Sequence, residues 1–250
     1  MAIIQYRRRF IFGSFAAIAA TSTIGVAGLR WRAGRKLKYR DIPGLSPFRE
    51  LVSNGPVSAA SPTSAALADT WASPEEFQDR VTWVRGNLRE ALFRQVLMEG
   101  LTPIAYFSDF ACPFCPILEK NLFEVAKDED TRLGIVRHEL PLSGGASLDA
   151  AKAVLAVTRQ GGYVALKARL MQAGPVINEL DLRTVATNLG LDPNLLLTDM
   201  ERPEITDMLL TSRALAQVFG FADTPALVIK RTVIRGLVTA DIVRQVIAND

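Results

Sequence analysis

The sequence contains only two cysteines and one histidine in 250 residues. Two cysteines allow one bridge at most, so no framework of structural disulfides exists and the fold must rest on its core. One histidine, His138, added to two thiols falls short of the roughly four ligands that a structural zinc site requires. Acidic residues are missing from the first 40 positions, which carry Arg7, Arg8, Arg9, Arg30, Arg32, Arg35, Lys36, Lys38 and Arg40. The remainder holds 20 basic against 26 acidic residues, a net charge of about −6, although the whole chain carries +3. The body of the protein is therefore acidic. The positive overall charge thus says nothing about nucleic acid, no basic stripe interleaved with aromatics follows, and no nucleic-acid partner is expected.

Hydrophobic residues make up 49% of the chain, enough for a sizeable core, and the length suits one domain with insertions or a domain with an appendage. Arg7-Arg8-Arg9-Phe10-Ile11 and the uncharged run from Phe10 to Leu29 resemble a twin-arginine export signal. The run is also just long enough to cross a bilayer, which leaves an uncleaved anchor open. Gly13, Gly25, Gly28 and four hydroxyl residues keep it only mildly apolar. Residues 1–40 are thus expected to be an export signal or membrane anchor with a basic flank. Export would place the cysteines in an oxidising compartment, the periplasm. Residues 41–72, rich in Pro, Ser, Gly and Ala, read as a linker or extended arm.

Regular structure is expected from Ser73 onward. Ser73-Pro74-Glu75-Glu76 combines an N-cap serine, a proline in the first helical position and a glutamate three residues after the cap. Phe77, Val81, Val84, Leu88, Leu92 and Val96 carry that helix to about Met98. Pro103 to Phe107 is a strand candidate, followed by helical periodicity at Phe114, Leu118, Leu122 and Val125, and by a second strand candidate from Arg132 to His138. Consecutive helical patterns then fill about 147–220, beginning with Ser147 as a cap. Two short strands, Pro225 to Ile229 and Thr232 to Ile234, precede a last helix that starts at Thr239. The order is βαβ, a helical block, then ββα.

Both cysteines lie at the first strand-to-helix junction, in Cys112-Pro113-Phe114-Cys115. With Pro113 opening the helix, the Cys112 thiolate would face unsatisfied N–H groups and the positive end of the helix dipole. Such a position lowers a thiol pKa from about 8.5 into the range of roughly 3.5–7.5. Cys115, one turn further on, would be the protected resolving thiol. A pair of metal ligands or of inert buried cysteines is the competing reading. Pro116 is expected to leave a carbonyl near Cys112 without its usual helical donor. Asp109 either caps the approach to the helix or faces solvent, the plainer reading, and His138 is expected to be structural.

Phe107-Ser108-Asp109-Phe110-Ala111-Cys112-Pro113-Phe114-Cys115, the helical block and Asp223-Thr224-Pro225 together resemble the DsbA-like branch of the thioredoxin superfamily over residues 103–249. The resemblance implies an α/β, thioredoxin-like fold with an inserted helical domain at about 147–220, all within a domain spanning 73–250. It implies a thiol-disulfide oxidoreductase with Cys112 and Cys115 as catalytic pair and Pro113, Phe114, Glu119, Thr224 and Pro225 as supporting residues. Pro225 would be cis, and the backbone of Thr224 would pair with the substrate chain. Glu119 matches an acidic position that helps manage the proton of the buried thiol, with a solvated helix glutamate as the alternative. No cofactor or metal is implied. The partners would be protein or peptide thiols and a redox partner that reoxidises or reduces the pair, with membrane attachment possible through the N-terminal segment. Oxidising members often carry histidine between the cysteines. Phe114 offers a thiolate neither charge nor hydrogen bond, so a less acidic Cys112 and a milder oxidant are expected. A reductase or isomerase, or a non-catalytic metal or protein binder, are the rival functions.

Overall fold

A computed structural model describes residues 36–59, 72–94, 100–128, 132–173 and 178–250. In chain order the elements are β1 (Tyr39–Asp41), β2 (Arg49–Leu51), β3 (Ser58–Ala59), α1 (Pro74–Gly86), α2 (Leu88–Phe93), β4 (Thr102–Ser108), α3 (Cys115–Ala126) and β5 (Leu133–Glu139). There follow α4 (Gly145–Ala156), α5 (Tyr163–Ala173), α6 (Glu179–Asn188), α7 (Pro193–Met200), α8 (Pro203–Phe219), β6 (Asp223–Thr224), β7 (Ala226–Ile229), β8 (Thr232–Arg235) and α9 (Ala240–Asn249).

A six-stranded sheet in the order β1-β2-β8-β7-β4-β5 forms the centre. β4 runs parallel to β5 and antiparallel to β7, so the crossover through α3 places that helix on one face. Alternation along β4 then sorts the core. Ile104 and Tyr106 join Leu118, Leu122 and Val125 of α3 and Val243 and Val246 of α9 on one face. Ala105 and Phe107 meet Val81, Val84, Leu92, Leu215 and Phe219 on the other. Full burial of each such large side chain contributes roughly 1.5–3 kcal/mol. Helices α4 to α8 form the expected insertion around a third core that includes Val154, Leu166, Leu196 and Leu209. Its last helix belongs to two cores: Ile205 and Leu209 lie in the helical block, whereas Ala214, Leu215 and Phe219 pack on the sheet.

Several expectations need correction. The helix beginning at Ser73 has the complete capping box, with Ser73 Oγ accepting from Glu76 N and Glu76 accepting from Ser73 N, but it stops at Gly86. Asn87 leaves helical geometry at φ −133° and ψ 38° and donates its side-chain amide to the Trp83 carbonyl at 2.9 Å. The break turns α2 so that Ala91, Leu92 and Phe93 enter the core. Ser147 is not a cap, because α4 starts two residues earlier behind Gly144. Part of the stretch read as a linker adds strands to the fold: β1 pairs antiparallel with β2, β2 parallel with β8, and β3 antiparallel with β6. The last two pairings join residues 183 and 166 positions apart, which local patterning does not reveal. The twin-arginine-like segment lies outside the described residues, and among those described no helix is long and apolar enough to cross a membrane.

Candidate active site

Helix α3 begins at Cys115, not at Pro113, with Phe114 as its N-cap residue and Pro116 in the first turn. Cys112 sits in the preceding turn, where its N–H donates to the Asp109 carbonyl at 3.2 Å. The Cys115 N–H points back at Cys112, 3.1 Å from Sγ and 3.3 Å from the carbonyl oxygen. That shared donor serves the carbonyl from position i+3, because Pro116 at i+4 has no N–H to give. Pro113 and Pro116 are exposed and Phe114 is half-buried. Both thiols are free and buried, Cys112 at 3% exposure and Cys115 at 0%.

The two thiols differ in acidity for visible reasons. The Cys112 pKa falls to about 6, chiefly through its hydrogen bond with Cys115; burial opposes the shift, and hydrogen bonds from the side chains of Thr224 and Ser58 and from the Phe114 backbone support it. Burial drives the Cys115 thiol in the opposite direction, and its neighbour Cys112 adds to that rise. At neutral pH the arrangement therefore holds one thiolate and one thiol. A value of about 6 lies between roughly 7 for thioredoxin and roughly 3.5 for DsbA.

Thr224 is 1% exposed, and the Thr224–Pro225 bond is cis, as the resemblance implies. Ser58 Oγ lies 3.1 Å from both the carbonyl oxygen and Oγ1 of Thr224. Ser58 escaped the sequence reading altogether, since only the β3–β6 pairing brings it here.

Beneath the cysteines lies a buried polar layer. Asp109 is 2% exposed, which overturns its solvent-facing reading. Its Oδ1 accepts from Ala111 N at 3.1 Å and from the Ser147 hydroxyl, and its Oδ2 accepts from Leu142 N at 2.9 Å and Ser143 Oγ at 2.7 Å. One carboxylate thus ties the cysteine turn to the loop after β5 and to α4. Glu119 is no free solvated glutamate: its Oε1 accepts from Arg137 Nε at 2.7 Å, and its Oε2 lies 4.0 Å from Lys167 Nζ. Lys167, on the helical insertion, is itself buried and donates to Glu139 at 2.7 Å, Ser108 Oγ at 2.8 Å and the Tyr163 hydroxyl at 3.2 Å. Tyr106 completes the floor by donating its hydroxyl to the Cys115 carbonyl at 2.8 Å. None of Tyr106, Glu139, Tyr163 and Lys167 carried a local motif that could have singled it out.

His138 stands apart from this layer. It is fully buried, stacked on Phe107 at 4.7 Å, and its pKa falls to about 3 through burial and then the nearby Arg94 charge. The neutral ring donates from Nε2 to the Leu92 carbonyl at 2.9 Å, which leaves Nδ1 to accept from Ser212 Oγ at 3.2 Å. Among the described residues no group of three or more His, Cys, Asp or Glu side chains is arranged to hold a metal ion.

A thiolate held by helix N–H and hydroxyl donors, a protonated partner thiol and a cis-proline wall are joined by a sequence match over residues 103–248 to the family described as DSBA-like thioredoxin domain. The chain belongs to that family. It is accordingly a thiol-disulfide oxidoreductase with a DsbA-like thioredoxin fold. Solved structures agree on the fold. A thioredoxin-like oxidoreductase from Silicibacter pomeroyi DSS-3 is 28% identical with a TM-score of 0.55, covering 64% of this chain and 96% of its own. The thiol-disulfide exchange protein alpha-DsbA2 from Wolbachia pipientis is 18% identical with a TM-score of 0.58, covering 71% and 99%. A periplasmic thioredoxin-like protein from Salmonella enterica serovar Typhimurium is 24% identical with a TM-score of 0.53, covering 65% and 95%. The sequence matches no curated protein.

Proposed function

We propose that this DSBA-like chain is an exported oxidase of protein thiols, acting through Cys112 as the exchanging sulfur and Cys115 as the resolving one. The observation that carries the oxidising direction is the stabilised Cys112 thiolate, favoured first by the Cys115 thiol and then by the hydroxyls of Thr224 and Ser58, with the Cys115 N–H 3.1 Å from the sulfur. Stabilising the reduced thiolate form raises the potential of the disulfide. In the oxidised protein a substrate thiolate attacks Cys112 Sγ; the mixed disulfide forms as the Cys112–Cys115 bond breaks, and Cys115 leaves with the electron pair and takes up a proton. A second substrate thiolate attacks the substrate sulfur, closes the substrate disulfide and expels Cys112 as a thiolate. A low pKa favours that departure, because a better-stabilised thiolate leaves faster. The two electrons left on the pair pass to a partner disulfide or other two-electron acceptor, which reoxidises the enzyme.

Each remaining residue has a supporting place in this reading. Pro113 and Phe114 shape the turn, and Pro225 fixes the Thr224 wall against which a substrate chain pairs. Glu119, one turn beyond Cys115, offers a carboxylate to handle the proton of the resolving thiol. Exposed Pro113, Pro116 and Ile117, the last at 47%, give an unfolded client an apolar landing beside the sulfur. The N-terminal Arg7-Arg8-Arg9-Phe10-Ile11 segment would deliver the domain to the periplasm, as a cleaved signal or as a tether.

Equilibration of the Cys112–Cys115 pair against glutathione tests the direction. A potential between roughly −120 and −200 mV is expected, whereas one below roughly −250 mV, near the value of thioredoxin, would assign a reductase instead. Cys115→Ser should accumulate mixed disulfides through Cys112, and dithiol exchange that persists in Cys112→Ser would overturn the residue assignment.

A further inference from the structure

Residues 52–59 run along the closing hairpin and end on the candidate site. Gly55 and Gly236 let the two backbones touch: a Cβ at Gly55 would stand 2.1 Å from the Leu237 carbonyl oxygen, and one at Gly236 would stand 2.4 Å from the Gly55 oxygen. Ser53 Oγ donates to the Arg235 carbonyl at 3.1 Å, and Leu237 N–H donates to the Pro56 carbonyl at 3.0 Å. Held at these points, the arm delivers β3 to β6 in antiparallel register, Ser58 opposite Thr224 and Ala59 opposite Asp223. Among the described residues β3 is the only strand that pairs with β6. The Ser58 hydroxyl donates to the Thr224 carbonyl and lies 3.1 Å from Thr224 Oγ1, close enough to the cysteine turn to be among the groups that lower the Cys112 pKa.

Two features of this contact are unexpected for a scaffold strand. A thiol that must meet the sulfur of another macromolecule needs access, yet Cys112 is 3% exposed. The residue laid beside it is a serine, a cysteine with oxygen in place of sulfur, on an extended strand that pairs with the edge at Thr224. We propose that residues 57–59 are a built-in pseudosubstrate, with β3 in the place of a substrate strand and Ser58 in the place of the substrate cysteine. The inference rests on the functional reading above, in which a substrate pairs with Thr224 and exchanges at Cys112.

The arm then describes its competitors. A substrate enters as an extended strand antiparallel to Asp223–Thr224, with its reactive cysteine in register with Thr224. Pro56-Val57-Ser58-Ala59 is uncharged, so an uncharged segment around the cysteine fits best. Turnover requires the arm to lift. If β3 is docked about nine-tenths of the time, only about a tenth of the molecules accept substrate, and releasing the strand raises apparent affinity about tenfold.

A cysteine trap tests the register. In full-length Ser58→Cys/Cys115→Ser protein treated with oxidised glutathione, Cys112 takes up one glutathione and releases the other. The thiolate introduced at position 58 then displaces the bound one, so that one oxidised glutathione becomes two reduced molecules and a disulfide forms between position 58 and Cys112. Peptide mapping should find that disulfide in most molecules, while Ser53→Cys/Cys115→Ser should retain glutathione on Cys112. Stable glutathionylation of Cys112 in the Ser58→Cys/Cys115→Ser protein would overturn the proposal alone, whereas a Cys112 that never reacts in the Cys115→Ser parent would sink the functional reading beneath it. A second variant tests occlusion. Ser58→Pro removes both the backbone N–H and the hydroxyl of the residue opposite Thr224, and at about pH 9, where Cys112 is ionised throughout, alkylation of Cys112 by a bulky maleimide should accelerate about tenfold. An unchanged or slower rate would show that β3 does not guard the sulfur.

Discussion

At the scale of single residues, the acidity of Cys112 is assembled without a histidine. Phe114 contributes only its backbone; the largest part comes from the Cys115 thiol, with smaller parts from Thr224 before β7 and Ser58 at the end of the arm, while the Cys115 N–H also points at the sulfur. Hydrogen bonds to a charged group contribute about 1.5–3 kcal/mol each, so the smaller donors add measurably to the leading one from Cys115. Ultraviolet thiolate absorbance of the reduced protein should titrate with a midpoint near 6, and Cys115 should stay protonated across the same range. Thr224→Ala removes one hydroxyl donor and should raise the Cys112 midpoint by roughly one unit, each unit being about 1.4 kcal/mol. The same change should shift the potential of the pair in the reducing direction, by about 30 mV for each 1.4 kcal/mol. An unmoved midpoint would mean that the thiolate is held without Thr224, by Cys115 and the remaining donors.

At the scale of elements, most of the frame was legible because local pattern and tertiary context agree. Apolar runs marked β4, β5, β7 and β8 to within a residue or two, and Thr239 caps α9 by accepting from Ile242 N. The cysteine pair stood out by spacing, and Thr224-Pro225 by resemblance. What was hidden is non-local. Ser58 meets Thr224 across 166 positions, and Asp109 gathers donors 33 to 38 positions downstream as well as its neighbour Ala111. No periodicity encodes such contacts. The end of α1 was missed for a different reason, since the apolar spacing continues through Leu88 and Leu92 while Gly86-Asn87 breaks the backbone beneath it. Asp109 supplies the test at this scale. Asp109→Ala leaves buried donors from the cysteine turn, the loop after β5 and α4 without an acceptor, and one such orphan costs about 1–3 kcal/mol. Chemical denaturation should therefore register a loss of about 3 kcal/mol or more. Asp109→Asn, which keeps an acceptor oxygen, should lose less. Equal losses would mean that the charge, and not the number of acceptors, holds the three segments together.

For the whole molecule, the Cys112 thiolate couples the redox state to folding. Its pKa in the fold, about 6, lies below that of an unfolded thiol, roughly 8.5. The reduced fold therefore gains stability that is fully present above the unfolded value and is lost as pH falls through about 6. The disulfide form carries no thiolate and gains nothing from these donors, so the reduced protein should be the more stable form at about pH 8. The expected margin is a few kcal/mol, from a shift of between roughly two and three units at about 1.4 kcal/mol each. Denaturant unfolding of both forms at about pH 8 and about pH 5 measures it: the gap should narrow markedly at the lower pH, and reduced Cys112→Ser should show none of the pH-dependent gain. The same cycle fixes the direction of exchange, because stability lost on oxidation is the free energy available to drive a disulfide into a client. A gap that is absent in the alkaline measurement, or that does not change with pH, would separate the acidity of Cys112 from the oxidising power of the pair and remove the physical basis for reading this chain as an oxidase.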